Sequence, residues 1–211
     1  MQNDQSKRIG AVVLAAGAST RMGRPKQSIT YQGESLLRRA ARTALAAGCQ
    51  PVVVVTGANA DLARSEVQGL SVEVVFNSDW ETGMGSSIRT GVGSLQNADR
   101  NVTAVVLLLC DQPFVNVQTI TELVIAHRSS GSPIVASEYG DGFGVPALFR
   151  RELFPELLRL SGPEGAKQII MAHMSETTLV PFPEGAVDLD TPEDLVRISD
   201  VENEYLGPSP C

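Results

Sequence analysis

A single aspartate in this sequence has a position that suits metal-dependent phosphate chemistry. Asp111 directly follows the apolar run 107–110 and precedes Gln112 and Pro113, so a proline-constrained turn holds it at the end of a buried strand. Mg²⁺ takes hard oxygen ligands and binds through few protein groups, which a carboxylate in this position can supply. An aspartate at such a point can also cap a turn or a helix. Asp111 is therefore a candidate metal ligand, with a local capping role as the alternative.

A loop rich in small residues follows the first apolar run. Small residues after a buried strand let backbone N–H groups approach a phosphate chain or the edge of a base. Arg21 and Lys26, with Arg24 nearby, can then hold a triphosphate; an ordinary surface loop with solvated cations is the alternative. The loop has neither the P-loop pattern nor the glycine pattern of a dinucleotide site. The candidate nucleotide-binding residues of this loop are Leu14, Ala15, Ala16, Gly17, Ser19, Arg21 and Lys26.

A second glycine-containing segment, residues 77–88, precedes a helical pattern. Gly83 and Gly85 permit tight backbone turns, and Ser86 is expected to cap the helix that follows. Backbone amides, together with the hydroxyls of Ser86 and Ser87, can read the edge of a nucleobase. A plain entry from loop to helix with a capping serine is the alternative.

These segments require a scaffold that places the ends of several strands side by side. Apolar, valine-rich runs alternate with amphipathic segments, which indicates strands covered on both faces and helices between them. Ligands of open parallel sheets bind beyond the carboxyl ends of the strands, where the residues above fall. The pattern predicts a Rossmann-like, three-layer α/β/α fold with a mainly parallel central sheet. The predicted strands are 9–15, 51–56, 72–76, 103–110, 133–137 and 145–149, and the predicted helices are 35–47, 61–68, 86–95, 117–128 and 151–160.

The last third of the chain is less regular. Six prolines from residue 133 to residue 183 break it into short pieces, among which an antiparallel excursion is expected. Residues 165–174 have a helical pattern, and Thr191 and Pro192 open a final helix as its N-cap and first residue. With no internal repeat, one domain over residues 1–211 is expected, with disordered tails at 1–7 and 207–211.

Composition and charge exclude several classes of function. The 211 residues carry a formal net charge of -7, which disfavours nucleic acid and anionic membrane as partners. The apolar run near the N-terminus, about seven residues, is too short for a membrane span or a signal sequence. Cys49, Cys110 and Cys211 have no metal-binding or disulfide spacing, so a reducing cytoplasm is the expected location. His127 and His173 match no catalytic motif and are assigned structural roles.

Together, these segments resemble one superfamily of NTP-dependent transferases. Residues 14–26 are similar to the Leu-x-x-Gly-x-Ser-x-Arg-Met-Gly-x-x-Lys loop that wraps the NTP in nucleotide-diphospho-sugar transferases. Residues 33–37, 77–88 and 111–113 resemble further motifs of that superfamily, so the resemblance extends over most of the chain. The form Ala15-Ala16-Gly17 fits the MobA-like branch that contains molybdenum cofactor cytidylyltransferase.

The resemblance implies roles for particular residues. Asp111 would bind a catalytic Mg²⁺, with Asp188 as the second ligand and Asp190 as the alternative. Arg21 and Lys26 would act with Asp111 as the catalytic residues. The residues assigned to the acceptor are Gly144, Val145, Pro146 and Lys167. Val145 stands where the family usually has a polar residue, and Lys167 stands where it has arginine, which leaves the identity of the acceptor open.

The implied function is that of a Mg²⁺-dependent nucleotidyltransferase. The most specific expectation is a CTP:molybdopterin cytidylyltransferase that forms molybdopterin cytosine dinucleotide and pyrophosphate, for delivery to a molybdenum hydroxylase. One alternative is a transferase of the same fold with another base or acceptor, such as a guanylyl donor or a sugar phosphate. Others are a non-catalytic molybdopterin carrier and an oxidoreductase, the latter disfavoured by the missing dinucleotide fingerprint.

Overall fold

The computed structural model describes residues 8–18, 25–140 and 142–187. Within these residues the strands are Arg8–Ala15 (β1), Thr30–Tyr31 (β2), Glu34–Ser35 (β3), Val52–Thr56 (β4), Glu73–Phe76 (β5), Val102–Leu109 (β6), Ile134–Tyr139 (β7), Gly142–Arg150 (β8) and Thr177–Pro181 (β9). The helices are Leu36–Ala46 (α1), Ala60–Glu66 (α2), Met84–Ala98 (α3), Val117–Ser130 (α4), Phe154–Leu157 (α5) and Ala166–Ala172 (α6).

Seven of these strands form one sheet in the order β5-β4-β1-β6-β8-β7-β9, and β2 and β3 form a separate hairpin. Strand β1 pairs in parallel with β4 and β6, β4 pairs in parallel with β5, and β7 pairs in parallel with β9. Strand β8 is antiparallel to both of its neighbours, β6 and β7. The predicted mainly parallel sheet and its antiparallel excursion are therefore confirmed.

Helices cover both faces of the sheet. Alternate side chains of a strand point to opposite faces, and β1 shows this clearly. Ala11 and Val13 pack in the hydrophobic core beneath α1, α2 and α4, whereas Val12 and Leu14 pack in the core beneath α3, α5 and α6. All four side chains are buried. The resulting arrangement is the three-layer α/β/α fold expected from the sequence.

The six predicted strands are confirmed with small shifts at their ends, but the predicted helix over 151–160 is wrong. The chain there forms a 3-10 turn, Arg151–Leu153, and then the four residues of α5. Pro155 lacks an N–H and fits only in the first turn of a helix, so one helix cannot run through it. Strand β9 was not predicted; it lies at the edge of the sheet, where the terminal Pro181 costs no ladder hydrogen bond.

The antiparallel direction of β8 decides which of its residues reach the carboxyl edge of the parallel strands. Leu107 of β6 pairs with Ala147, and Ala104 pairs with Arg150. Residues 144–146, at the start of β8, therefore lie beside the end of β6, where Asp111 follows. Of the helices that the structure describes, none has the length and apolar character needed to cross a bilayer.

Candidate active site

A cleft of about 380 Å³ opens at the carboxyl ends of β1 and β6. Its volume falls in the range of small-molecule sites, roughly 300 to 1,000 Å³. The lining residues come from the small-residue loop, the segment before α3 and the end of β6: Leu14, Ala15, Ala16, Gly17, Lys26, Gln27, Trp80, Glu81, Gly83, Met84, Ser87, Leu109, Cys110 and Asp111. The structure therefore brings together most of the residues that the sequence assigned to nucleotide binding, from segments far apart in the chain.

Lys26 and Asp111 form an ion pair in this cleft. The Nζ atom of Lys26 lies 2.8 Å from Oδ2 of Asp111, and the side chains are only 14% and 20% exposed. Lys26 opens a 3-10 turn, Lys26–Ser28, and Asp111 follows the end of β6. Partial shielding from water strengthens the attraction between the two charges. A cation and a carboxylate are thus held together in the nucleotide-sized cleft.

Asp111 fits a hard divalent cation. It supplies carboxylate oxygens, the ligand type that Mg²⁺ and Mn²⁺ prefer. Cys110 beside it is no competing soft ligand, because burial and the charge of Asp111 raise the pKa of its thiol and keep it neutral. Among the described residues no group of three histidine, cysteine, aspartate or glutamate side chains converges on a metal position. Asp188 and Asp190, predicted as the second ligand, lie outside those residues.

Gln27 holds the backbone of the nucleotide loop. Its Nε2 atom donates to the carbonyl oxygens of Ala15, at 2.8 Å, and of Gly17, at 3.0 Å, and the side chain is 1% exposed. The backbone of residues 15–17 is therefore fixed by a side chain that follows Lys26 directly. Sequence reasoning missed this role, although a polar residue directly after Lys26 was the available signal. Ser19 and Arg21 of the same loop lie outside the described residues.

The prediction that Ser86 caps α3 is wrong. The helix begins at Met84, with Gly83 preceding it, so Ser86 lies inside the first turn. Its hydroxyl accepts a hydrogen bond from Nδ2 of Asn77 at 2.8 Å, and the side chain is buried outside the cleft. Asn77 also donates to Ser87 Oγ at 3.0 Å, and Ser87 does line the cleft. Of the two serines, Ser87 lines the cleft and Ser86 does not, and the buried Asn77 bonds to both.

The two glycines at the start of α3 allow a close approach to a neighbouring loop. Gly83 has a φ of 121°, and a Cβ there would lie 2.3 Å from the carbonyl oxygen of Gly162. A Cβ on Gly85 would lie 2.7 Å from the backbone nitrogen of Ser161. Gly83 lines the cleft, as predicted, but Gly85 does not. Gly85 therefore packs closely against the 161–165 loop, outside the wall of the cleft.

Trp80 makes two kinds of contact in the structure. It lines the cleft, and it packs closely over Gly57, where a Cβ would lie 2.7 Å from the Cβ and Cγ atoms of Trp80. Because Gly57 has no side chain, Trp80 can pack against it and form part of the cleft wall.

The predicted acceptor residues lie next to the cleft rather than in its wall. Gln112 donates from Nε2 to the carbonyl oxygen of Val145 at 3.1 Å, which places the start of β8 beside the Asp111 turn. Gly144 is buried against Tyr139. Nζ of Lys167 lies 5.4 Å from the ring centre of Phe143, a cation–π contact. The structure therefore brings Lys167 to the same strand segment as Gly144, Val145 and Pro146.

A larger cavity, about 1090 Å³, lies at the opposite edge of the sheet, near the starts of β1 and β6. Arg150 donates to the carbonyl oxygen of Gly131, which follows α4, and Arg151 donates to the carbonyl oxygens of Arg100 and Val102. Carboxyl ends of helices carry partial negative charge and do not favour anions. These arginines satisfy chain carbonyls, and no predicted site residue lies there, so the smaller cleft is the candidate active site.

Comparison with known proteins agrees with the fold and shows the family. The family model of the MobA-like NTP transferase domain matches residues 11–177. A nicotine blue oxidoreductase from Paenarthrobacter nicotinovorans is 32% identical over 90% of this chain and 96% of that protein. A molybdenum cofactor guanylyltransferase from Rhodobacter capsulatus is 30% identical over 92% of this chain and 96% of that protein. A crystal structure of Rv0371c from Mycobacterium tuberculosis in complex with manganese is 28% identical, with a TM-score of 0.73 over 92% of this chain and 98% of that one.

Proposed function

Because the chain belongs to the MobA-like NTP transferase family, we propose that it is a cytidylyltransferase that moves CMP from CTP to molybdopterin and releases pyrophosphate. The observation that carries the proposal is the ion pair of Lys26 and Asp111, 2.8 Å apart in a cleft lined by Leu14, Ala15, Ala16 and Gly17. Phosphate transfer needs a cation, a metal-binding carboxylate and close backbone approach in one place. The presence of a lysine, a carboxylate and small residues in this cleft supports the proposal.

The transfer asks for little covalent chemistry from the protein. An oxygen of the acceptor's terminal phosphate bonds to the α-phosphorus of CTP while the bond from that phosphorus to the β-phosphate oxygen breaks. Pyrophosphate leaves with the electron pair, and the attacking phosphate, already anionic, needs no general base. Lys26 stabilises the negative charge that develops on the α-phosphate and on the leaving pyrophosphate, and Arg21 is proposed to act with it. The backbone of residues 14–17 and Ser19 holds the nucleotide against β1.

The proposed cofactor is Mg²⁺, bound by Asp111 and Asp188. When bound, such an ion neutralises phosphate charge and aligns both reactants. Asp111 would hold the ion at the end of β6, and its carboxylate would then be shared between the ion and Lys26, which lies 2.8 Å away. The manganese complex of the Mycobacterium tuberculosis relative supports a divalent cation in this fold at 28% identity.

The base and the acceptor are the finer parts of the proposal. The form Ala15-Ala16-Gly17 supports CTP, with Gly83 and Ser87 facing the base. The Rhodobacter capsulatus relative is named a guanylyltransferase, so guanylyl transfer to the same acceptor is the nearest rival. Val145 and Lys167, beside the cleft, are proposed to meet the anionic acceptor, and a molybdenum hydroxylase is the proposed recipient of the product.

Redox activity is the second candidate function. It is favoured by one observation, the name of the Paenarthrobacter nicotinovorans relative, an oxidoreductase of similar length. Hydride transfer would not require the ion pair of Lys26 with Asp111, and the small-residue loop lacks the dinucleotide pattern of glycines. The transferase remains the function that the cleft supports best.

The deciding experiment is calorimetric titration of the purified protein with CTP, GTP, ATP and UTP in Mg²⁺, and separately with NADH and NADPH. Pyrophosphate release is then measured with and without molybdopterin, and Asp111→Asn serves as the matched variant. Selective CTP binding with acceptor-dependent pyrophosphate release is the expected result. Selective GTP binding would move the function to guanylyl transfer, and binding without release would indicate a carrier. Binding of NADH or NADPH with no NTP binding would overturn the transferase in favour of the oxidoreductase.

A further inference from the structure

A second buried glutamine, Gln112, connects three segments around the candidate metal site. Its side chain is 6% exposed, and its Nε2 atom donates to the carbonyl oxygens of Val145, at 3.1 Å, and of Gly185, at 3.4 Å. Val145 belongs to the start of β8, and Gly185 lies in the 3-10 turn Pro183–Ala186. One amide group thus joins the turn after β6 to two segments that are distant in sequence.

Each of these segments carries a residue with a proposed part in the transfer. Asp111 precedes Gln112 directly, Val145 lies between Gly144 and Pro146 of the proposed acceptor strand, and Gly185 is three residues before Asp188. A shift of either segment relative to Asp111 would therefore misplace the proposed acceptor strand, or the segment that leads to Asp188, relative to the proposed metal ligand. Transfer reactions are sensitive to such shifts, since misplacement by about 1 Å can cost about 100-fold in rate.

The chemistry of the side chain fits positioning better than stability. A primary amide has two N–H donors at one nitrogen and can bond two carbonyl oxygens at once, which no hydroxyl or carboxylate side chain can do. The other end of the amide, Oε1, is buried and has no hydrogen-bond partner among the residues that the structure describes. A buried acceptor without a partner lowers stability. An arrangement that served stability alone would avoid this cost.

We propose that Gln112 is a positioning residue that sets the acceptor strand and the segment before Asp188 against the metal-binding turn. The proposal rests on the proposed function insofar as Asp111 and Val145 act in group transfer. Gln112 does not line the cleft. Its loss is therefore expected to misalign the acceptor without lowering the affinity for the nucleotide.

The test compares Gln112→Met, which keeps the length but removes both donors, with the matched control Gln118→Met at an exposed position of α4. Hydrogen exchange of the unliganded protein is measured at the amides of Gly185 and Val187, which bond to the carbonyl oxygens of Phe182 and Glu184. Exchange there is expected to accelerate about tenfold in Gln112→Met, from the loss of two hydrogen bonds, and not in Gln118→Met. Unchanged exchange in Gln112→Met would contradict the proposal that Gln112 holds the 183–187 segment in place.

The same variants are then assayed for CTP affinity and pyrophosphate release. Gln112→Met is expected to lower turnover about 10- to 100-fold while the Kd for CTP stays within a few-fold of wild type. A parallel loss of CTP affinity and turnover would overturn the positioning role, because it would indicate general damage to the fold. If wild-type protein releases no pyrophosphate, the proposed function fails. The exchange comparison alone then decides whether Gln112 holds the two segments against the turn of Asp111.

Discussion

The proposed nucleotide side, residues 14–17, and the proposed acceptor side, residues 144–146 beside the cleft, are each bonded by a buried glutamine, but the sequence separations differ greatly. Gln27 follows Lys26 and bonds Ala15 and Gly17, only 12 and 10 residues away. Gln112 follows Asp111 and bonds Val145 and Gly185, 33 and 73 residues away. The nucleotide loop is thus held within one stretch of chain, whereas the acceptor side depends on the packing of β8 and the last described turn.

This difference indicates which side of the site fails first when the fold loosens. Contacts close in sequence cost little loop-closure entropy, and contacts 73 residues apart depend on the sheet being assembled. The acceptor side should therefore lose its geometry under conditions in which the nucleotide loop still binds. The variants below either break that asymmetry or sharpen it.

Asp111→Asn is expected to have the largest effect, because Asp111 serves both sides. The substitution keeps the shape of the side chain but removes the charge that pairs with Lys26 and that is proposed to hold the metal. Turnover should fall about 100-fold or more, with the fold retained. Pyrophosphate release and the free energy of unfolding are measured together. Turnover within a few-fold of wild type would contradict the metal assignment.

Lys26→Ala should follow closely, with a loss on the nucleotide side. Removing the cation takes away charge neutralisation at the phosphates, and turnover should fall about 100-fold. Lys26→Arg is the control that keeps the charge but changes its shape, and it should retain part of the activity. Turnover and the KM values for both substrates are measured by steady-state kinetics in which each substrate is varied. An effect confined to the KM for the acceptor would be inconsistent with a role at the triphosphate.

Gln27→Met tests the nucleotide half of the comparison directly. The carbonyl oxygens of Ala15 and Gly17 lose their donor, so the loop should loosen and the Kd for CTP should rise about tenfold. Calorimetry with Gln27→Met and Gln112→Met in parallel gives the contrast, since only the first should weaken nucleotide binding. Equal CTP affinities in the two variants would remove the proposed division of labour.

Ser87→Ala and Ser86→Ala form a finer pair within the nucleotide side. Ser87 lines the cleft, and its loss should weaken CTP binding a few-fold, by about the worth of one hydrogen bond. Ser86 is buried outside the cleft and bonded to Asn77, so its loss should lower the free energy of unfolding by about 1 to 3 kcal/mol without changing affinity. Urea unfolding and calorimetry separate the two effects. Loss of affinity in Ser86→Ala together with loss of stability alone in Ser87→Ala would refute the assignment of the two serines.

The smallest effect is expected from His173, which ties α6, the helix of Lys167, to Glu156 of α5. Hydrogen bonding to Glu156 raises the pKa of His173. A raised pKa in the folded state stabilises the protein below the ordinary histidine value of about 6.5, and this contribution is lost as the pH rises through the raised value. The difference between wild type and His173→Gln should stay below about 1 kcal/mol and shrink with pH. A difference in the free energy of unfolding that grows with pH would contradict a raised pKa of His173 in the folded protein.

The nucleotide side was the more predictable half. The β1 strand, the small-residue loop and Asp111 at the end of β6 follow from apolar periodicity and from the rule that ligands bind at the carboxyl ends of parallel strands. Ser86 was misjudged because capping was inferred from residue type alone. The turn at Gly83 starts the helix two residues earlier, and only its backbone conformation reveals this.

The acceptor side was less predictable because its contacts are not local. Family resemblance pointed to Gly144, Val145, Pro146 and Lys167, but no sequence pattern linked Gln112 to Val145 and Gly185. Strand β9 was missed for a related reason, since a short strand carries little periodicity and, among the described strands, pairs with β7 alone.

The sequence by itself determined the alternation of strands and helices, the small-residue loop and the carboxylate at the end of a buried strand, because these depend on local composition and periodicity. Tertiary structure decided that Lys26 meets Asp111, that β8 runs antiparallel with its start at the site, and that two buried glutamines hold the two sides. These features depend on the packing of segments that lie tens of residues apart, and a pattern along the chain carries no direct signal of such contacts.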